Sequence, residues 1–254
     1  MLKKLLLLWI LSTSASATSF STDYTDLWWN PAEDGWGVNV IQQGDTLFAT
    51  FFVYSPSGSP SWYVASGVSF TGVQAGAPTF SGLLYQTGGP WFGGPWDPAA
   101  RTLRQVGTAT FSFTSVVAGT LTYSVDGVTV NKNVTRQTWR VNNLSGDYIG
   151  GTRATQFGCG ADGEVEEAAI FNVSHNGAAF TLTTFQESGS CTYQGAYQQA
   201  GRMGAAQGTV LCSNGSQGTF TAFELEGNTA GMTGRGTTEL GACHRLWKIG
   251  GMKR

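Results

Sequence analysis

The sequence predicts an all-β protein of two antiparallel up-and-down meander domains, each a small eight-stranded barrel. Three observations support this prediction. Gly, Thr and Ser interrupt every window of helical length, apolar residues alternate with polar ones along many short segments, and turn residues separate those segments. The chain of 254 residues contains 36 Gly and only 12% charged residues. Charged residues normally make up about 25% of a chain, so this composition excludes a coiled coil, a helical bundle and a disordered tail.

The first 17 residues are typical of a secretory signal peptide. Lys3 and Lys4 precede the apolar run 5–11, and small residues follow up to Ala17. A charged start, a short apolar core and an Ala-x-Ala end are the features that signal peptidase reads. We therefore predict cleavage after Ala17 and a bacterial protein that is secreted or periplasmic. The apolar run is shorter than the roughly 20 residues that span a bilayer, and we predict no transmembrane segment.

Residues 18–141 form the first predicted domain, which is rich in tryptophan. Alternation is clear where Phe111 and Phe113 share one face of a strand and Thr110 points to the other. Asp126-Gly127 between two such runs is a strong hairpin signal. The predicted strands are 36–43, 46–54, 61–69, 79–86, 103–113, 119–125 and 128–135, with a last one towards residue 140.

Residues 142–254 form the second predicted domain, which contains all four cysteines. Asn176-Gly177 and Asn214-Gly215 are hairpin turns. The predicted strands are 146–153, 165–174, 178–186, 191–199, 206–212, 218–225, 229–236 and 243–249. Eight strands can close into a barrel that holds packed side chains or one small ligand.

Several motifs of the first domain occur in a fixed order. They are Trp-Trp-Asn-Pro-Ala-Glu-Asp-Gly-Trp-Gly at 28–37, the apolar run 47–54, Gly-Ser-Pro-Ser-Trp-Tyr at 58–63, the Gly-Pro-Trp repeat within 89–98, and Thr-Arg-Gln-Thr-Trp at 135–139. Residues 26–140 thereby resemble a recurrent module of secreted bacterial proteins. The resemblance implies secretion and a β module, and it assigns no catalytic residue. In the second domain, the Gly-Asp-Tyr opening at 146–148 and the Arg-Leu-Trp close at 245–247 are similar to lipocalin and avidin-like barrels.

The predicted meander places Cys159, Cys191, Cys212 and Cys243 at one end of the second domain. Four cysteines in an oxidising compartment indicate two disulfides. Pairing Cys159 with Cys212 would cross the barrel mouth, beyond the Cα separation of about 7 Å that a disulfide tolerates. Two arrangements remain open: Cys159–Cys243 with Cys191–Cys212, or Cys159–Cys191 with Cys212–Cys243. A zinc site made by all four thiolates is an alternative, although no Cys-x-x-Cys spacing supports it.

Counting connections along the predicted meander also places the tryptophan-bearing loops at one end of the first domain. Flat rings held by Gly and Pro could stack on a sugar or line an apolar cleft, with polar neighbours that supply hydrogen bonds. The candidate ligand-binding residues are Trp28, Trp29, Trp91, Trp96, Asp97 and Asn30. The alternative is that these rings fill the open end of the barrel. We expect Trp36 and Trp62, which begin strands, to lie in the core.

The chain shows no recognisable catalytic constellation. The Gly-x-Ser-x-Gly and His-Glu-x-x-His motifs are missing from the sequence. His175, expected to be solvated in a hairpin turn, and His244 fall at opposite ends of one barrel, so they cannot share a metal ion. Glu33 and Asp97 could form a pair of glycosidase carboxylates. The acidic segment 162–167 could bind calcium, but its spacing matches no EF-hand, which favours a solvated loop.

Three functional hypotheses follow. The first is a secreted, non-enzymatic protein whose aromatic end binds a glycan or a small amphipathic ligand. The second is a secreted polysaccharide hydrolase that uses Glu33 and Asp97. The third is a surface adhesion or protein-interaction module. We predict no cofactor and no metal, and an isoelectric point near 5.6 without a basic cluster argues against nucleic acid as a partner.

Overall fold

The computed structural model describes residues 22–254 and contains two closed antiparallel barrels of eight strands each. The predicted fold class is therefore confirmed. The predicted signal peptide, residues 1–17, lies outside the described residues. Within residues 22–254, no helix has the length and apolar character needed to cross a membrane.

The first barrel is a meander in which each strand pairs with the next and the last pairs with the first. Its strands are β1 (Asp26–Trp29), β2 (Gly37–Gln43), β3 (Thr46–Tyr54), β4 (Pro60–Gln74), β5 (Ala77–Gly88), β6 (Thr102–Ser112), β7 (Ala118–Val125) and β8 (Val128–Arg136). The strand predicted towards residue 140 is wrong. The eighth strand is instead β1, which closes the barrel by pairing with both β2 and β8.

Large apolar side chains fill the interior of the first barrel. Phe51, Phe80 and Phe111 have no exposed surface, and Phe113 has almost none. Tyr24, just before β1, stacks on Phe113 with ring centroids 3.7 Å apart. The alternation that predicted the strands thus places one face of each strand in a solid aromatic core.

The second barrel repeats the meander with longer strands. They are β9 (Gly146–Phe157), β10 (Gly163–Asn176), β11 (Ala179–Gln186), β12 (Gly189–Ala200), β13 (Met203–Cys212), β14 (Gln217–Gly227), β15 (Gly231–Leu240) and β16 (Cys243–Lys253). The last strand, β16, pairs with β9 along ten residues and closes the barrel. The domain boundary predicted at 141/142 falls in the segment that joins the two barrels.

Two disulfides lie at one end of the second barrel, which we call the disulfide end. They join Cys159 to Cys243 and Cys191 to Cys212. This is the first of the two arrangements left open by the sequence. Since no cysteine of the described residues is free, the zinc alternative is wrong. Structural disulfides are typical of proteins that fold in an oxidising compartment.

The opposite end of the second barrel is closed by the chain that enters it. Leu144 is fully buried, and its backbone N–H donates to Nδ1 of His175 at 3.3 Å. Nε2 of His175 donates to the carbonyl of Gly177 at 2.9 Å. His175 is therefore a buried structural residue, and the expectation that it is solvated is wrong. Its ring packs on Tyr197, with centroids 4.2 Å apart.

A hairpin of the second barrel contacts a buried ion pair of the first barrel. The guanidinium of Arg136 on β8 lies 2.9 Å from the carboxylate of Asp26 on β1, and both side chains are nearly inaccessible. The same carboxylate accepts a hydrogen bond from the backbone N–H of Arg202 in the β12–β13 hairpin. Gly201, beside it, packs so closely that a Cβ atom there would lie 2.2 Å from Asp26. The hairpin of the second barrel is thus seated on the ion pair of the first.

Candidate functional site

Four connections form one end of the first barrel, which we call the aromatic rim. They span residues 30–36, 55–59, 89–101 and 126–127. The segment after Trp29, the loop before Trp62 and the loop that carries Trp91 and Trp96 were predicted to share one end of the barrel, and they do share it. Six large aromatic side chains at this end or on the strands that lead to it are exposed: Phe52, Tyr54, Trp62, Trp91, Phe92 and Trp96.

The long loop 89–101 holds Trp91 in a defined position. The N–H of Gly94 donates to the carbonyl of Trp91 at 3.1 Å, which closes a tight turn. The indole ring folds back over Gly93, where a Cβ atom would lie 2.5 Å from the ring. Only glycine fits beneath the ring, so the local sequence fixes how Trp91 is presented. The ring remains 71% exposed, and the neighbouring Phe92 is 97% exposed.

The backbone directly after Trp96 is fixed by a capped turn. Asp97 accepts a hydrogen bond from the N–H of Ala99 at 2.9 Å and thereby caps the short 3₁₀ helix Pro98–Ala100. A proline at the first helical position fixes the backbone beside this cap. Trp96 lies directly before the cap and is as exposed as Trp91. Neither ring fills the barrel.

Two glycines in the segment 34–37 seat aromatic rings on the outer face of β3. Tyr54 lies against Gly35 and donates its hydroxyl to the carbonyl of that residue at 2.9 Å. Phe52 lies against Gly37, where a Cβ atom would be 2.6 Å from the ring. Trp62 pairs with Phe52 in the neighbouring strand. Trp62 is half exposed, so the expectation that it belongs to the core is wrong.

The other candidate residues of the rim differ in accessibility. Trp28 has no exposed surface, and its indole N–H donates to the carbonyl of Tyr24 at 2.9 Å. It therefore fills the core and is not available to a ligand at the rim. Trp29 and Asn30 are partly exposed. The side-chain oxygen of Asn30 accepts a hydrogen bond from the N–H of Ala32 at 3.0 Å.

Glu33 is held in an ionised state beside the rim. Its carboxylate accepts hydrogen bonds from the ammonium of Lys132 at 2.6 Å and from the indole of Trp36 at 2.9 Å. The hydrogen bond from Lys132 is the largest cause that holds the pKa of Glu33 below its usual range. A general acid for glycoside hydrolysis needs a raised pKa. Trp36 packs against the core, as predicted.

The acidic segment 162–167 does not gather its carboxylates around one point. Glu164 and Glu166 both pair with Arg153, at 2.6 Å and 3.2 Å. Glu167 instead accepts hydrogen bonds from the backbone N–H and the hydroxyl of Ser188. Within residues 22–254, no group of three or more His, Cys, Asp or Glu side chains is placed to hold a metal ion.

The disulfide end of the second barrel opens into a cavity of about 540 Å³, which we call the mouth cavity. Both disulfides line it. Polar side chains of the strands and of their connections line the rest, among them Gln156, Glu167, Gln186, Ser188 and Arg245.

Comparison with known proteins does not assign a function to either end. No family model matches the chain, and no match was found among curated proteins or among solved structures. The functional proposal therefore rests on the geometry of the described residues.

Sequence reasoning named Trp91 and Trp96, which are exposed, together with Trp28, which is buried. It missed the mouth cavity. The missed signal is the position of Arg245 within β16. Arg245 is in phase with Trp247 and Ile249, which are both buried. Since alternate residues of a strand share a face, this phase points a cation into the barrel.

Proposed function

We propose that this protein is a secreted binding protein and that its aromatic rim binds a glycan. The observation that carries the proposal is the exposure of Trp91 and Trp96 on one loop, in which the turn at Gly93-Gly94 fixes how the Trp91 ring is presented. An open barrel end can be filled by tryptophan, but Trp91 and Trp96 are not used in this way, because both rings are 71% exposed. Large rings held in solvent cost hydrophobic free energy and mark interaction surfaces.

A sugar matches the chemistry of the aromatic rim. Flat rings pack against the apolar face of a pyranose, and neighbouring polar groups fix its orientation. Asn30 and Asp97 each use one side-chain oxygen in a local turn. The amide nitrogen of Asn30 and the second carboxylate oxygen of Asp97 have no hydrogen-bond partner among the described residues, so they can bond sugar hydroxyls. Preorganised rings lose little conformational entropy on binding, which favours affinity.

The geometry favours binding over hydrolysis. Glu33 is engaged by Lys132 and Trp36 and is ionised, so it lacks the proton that a general acid donates. Asp97 serves as the cap of a 3₁₀ helix. Glu33 lacks the apolar surroundings that raise the pKa of a carboxyl group towards neutrality.

The test is a titration of the mature protein with xylo-, cello- and chito-oligosaccharides, followed by calorimetry and by tryptophan fluorescence. The double variant Trp91→Ala/Trp96→Ala should weaken binding by a factor of about ten or more, since buried aromatic contacts dominate such interfaces. The matched control is Trp139→Ala. Trp139 is 75% exposed, like the rim tryptophans, but it lies beyond β8 in the segment between the barrels.

Equal weakening by Trp139→Ala and by the double variant would contradict the proposal, since binding would then not depend on the rim. The absence of a saturable signal with every oligosaccharide would also contradict it. A signal obtained with short fatty acids alone would replace the glycan with an amphipathic ligand.

A further inference from the structure

The mouth cavity narrows towards a floor that carries a cation. About 540 Å³ is open at the disulfide end. Below this space the interior shrinks to about 20 Å³, lined mainly by apolar and aromatic groups such as Leu182, Tyr193 and Trp247. Arg245 and Gln186 line both spaces, so both residues lie at the boundary between them. A molecule that enters the cavity meets Arg245 before it meets the packed core.

Arg245 is a cation without a partner of its own. Its Nε atom is buried and has no hydrogen-bond partner, and no salt bridge involves its guanidinium in the described part of the chain. Arginine side chains in protein interiors are usually paired, because burying a charge or an unsatisfied N–H group is costly. The residues opposite Arg245 in the neighbouring strands, Gln156 and Thr238, are both neutral. The hydroxyl of Thr238 already accepts the indole N–H of Trp247 at 2.8 Å.

The one carboxylate among the lining residues of the cavity is that of Glu167, which is engaged elsewhere and forms no ion pair with Arg245 in the described part of the chain. Glu167 accepts hydrogen bonds from the backbone N–H of Ser188 at 3.3 Å and from its hydroxyl at 3.0 Å. These bonds direct the carboxylate towards the β11–β12 connection. Gln186 is also held, since it donates to the hydroxyl of Thr152 at 2.6 Å. Glu167 and Gln186 are thus held by hydrogen bonds within the protein. The guanidinium of Arg245 has no acceptor within the described part of the protein and can bond an acceptor on a ligand.

We propose that the mouth cavity binds a small hydrophilic carboxylate of the sugar-acid class, with the carboxylate on Arg245. The planar guanidinium presents parallel N–H donors that match the two oxygens of a carboxylate. Gln156, Gln186 and Ser188 also line the cavity. Each already donates a hydrogen bond within the protein, and their side-chain oxygens can accept hydrogen bonds from hydroxyl groups of a ligand. The volume lies within the range of small-molecule sites. One disulfide ties the β9–β10 connection to the first residue of β16, and the other links paired residues of β12 and β13, so both fix the chain beside the opening.

This site is separate from the aromatic rim, because it lies in the other barrel and uses none of the rim residues. Trp247 lies at its floor and reports on it directly. In a ¹⁵N-labelled mature protein, the indole resonance of Trp247 is assigned by its loss in Trp247→Phe. The rim tryptophans give their own resonances in the same spectrum. One titration therefore shows separately whether a ligand binds in the mouth cavity and whether it binds at the aromatic rim.

The probe is D-galacturonate, and D-galactose is its neutral counterpart. We expect galacturonate to shift the Trp247 resonance saturably and galactose to bind at least tenfold more weakly. Arg245→Met should weaken galacturonate binding at least tenfold. Arg245→Lys, which keeps the charge but loses the planar pair of donors, should give intermediate affinity. The matched control is Lys248→Met, which removes one positive charge from the exposed, outer face of the same strand and should leave binding unchanged.

Three results would overturn the proposal. They are no shift of Trp247 with galacturonate, equal affinity for galactose, or equal effects of Arg245→Met and Lys248→Met. The double variant Trp91→Ala/Trp96→Ala should leave the galacturonate shift intact, and its loss there would also refute an independent site. If Arg245→Met fails to fold, Arg245→Lys supplies the same comparison with a charge retained in place.

Discussion

Removing Arg136 should destabilise the first barrel more than removing any exposed arginine. The guanidinium donates to the carboxylate of Asp26 at 2.9 Å and to the backbone carbonyls of Val116, Thr25 and Asp23 at 2.7, 3.1 and 2.5 Å. It also lies 4.9 Å from the centre of the Trp28 ring. Desolvation is the largest influence on Arg136 and lowers its pKa, while Asp26 opposes that effect. The charge on Arg136 is therefore stabilised by Asp26 and the backbone carbonyls, because water does not reach it.

Arg136→Met leaves the carboxylate of Asp26 buried with only backbone donors, from the N–H groups of Leu27 and Arg202. Breaking a buried pair by removing one partner costs about 3–5 kcal/mol. With a urea dependence of about 2 kcal/mol per molar, the unfolding midpoint should fall by about 2 M. Urea titration followed by tryptophan fluorescence measures this shift, because Trp28 lies against the altered site.

The control variant is Arg104→Met, which breaks an ion pair with Asp126 in which both side chains are more than half exposed. Such pairs contribute little to stability, so the midpoint should stay unchanged. Replacing both buried charges, in Arg136→Met/Asp26→Asn, should recover part of the loss because no uncompensated charge remains. A midpoint for Arg136→Met equal to that of Arg104→Met would refute this reasoning.

Three further outcomes are expected. The Cys159–Cys243 disulfide closes a loop of 84 residues, and the Cys191–Cys212 disulfide closes a loop of 21 residues. Replacing the first pair by serine should lower the free energy of unfolding by about 4.6 kcal/mol, and replacing the second should lower it by about 3.3 kcal/mol. Equal losses in a urea titration would contradict this order. Leu144→Ala should cost about 3–4 kcal/mol because it empties a fully buried position, and an unchanged melting temperature would count against that. Burial raises the pKa of Tyr197 to about 12, whereas the pKa of tyrosine in the unfolded chain is about 10. The stability that the protonated Tyr197 hydroxyl contributes is therefore complete below about pH 10 and is lost as the pH rises to about 12. Tyr197→Phe should flatten that alkaline decline, and an identical decline in both proteins would argue against the assignment.

The alternation of apolar residues predicted most of the fold because every strand buries one face. The alternation predicts that Phe111 and Phe113 share one face, and both are buried. Counting connections predicts that the four cysteines lie at one end of the barrel, where they form the two disulfides. The strand β1 was missed because Asp26–Trp29 has only four residues, all apolar apart from Asp26, and no period-two pattern. Its placement depends on pairing with β8, more than a hundred residues later, which no local pattern shows.

Exposure at the aromatic rim was harder to predict than strand position. Trp28 and Trp91 are equally apolar in sequence, yet one is fully buried and the other mostly exposed. The difference comes from backbone position: Trp28 lies on the inward phase of β1, whereas the turn at Gly93-Gly94 holds Trp91 outside the barrel. Likewise, His175 was assigned to a turn although it continues the inward phase of Phe171 and Val173 on β10.

The two ends of the second barrel show why one end is suited to a ligand. The end that faces the first barrel is closed by Leu144 and His175 and covered by the segment that joins the barrels. No covalent crosslink is needed there, because packing and backbone hydrogen bonds hold the chain. At the other end the interior is not filled, and an unpaired guanidinium lies at the floor. If apolar side chains filled that end instead of Arg245, the protein would not bear the free-energy cost of burying the Nε group of Arg245 without a hydrogen-bond partner. The disulfides instead stabilise an end that packing does not, so the stability they add offsets the cost of keeping Arg245 available.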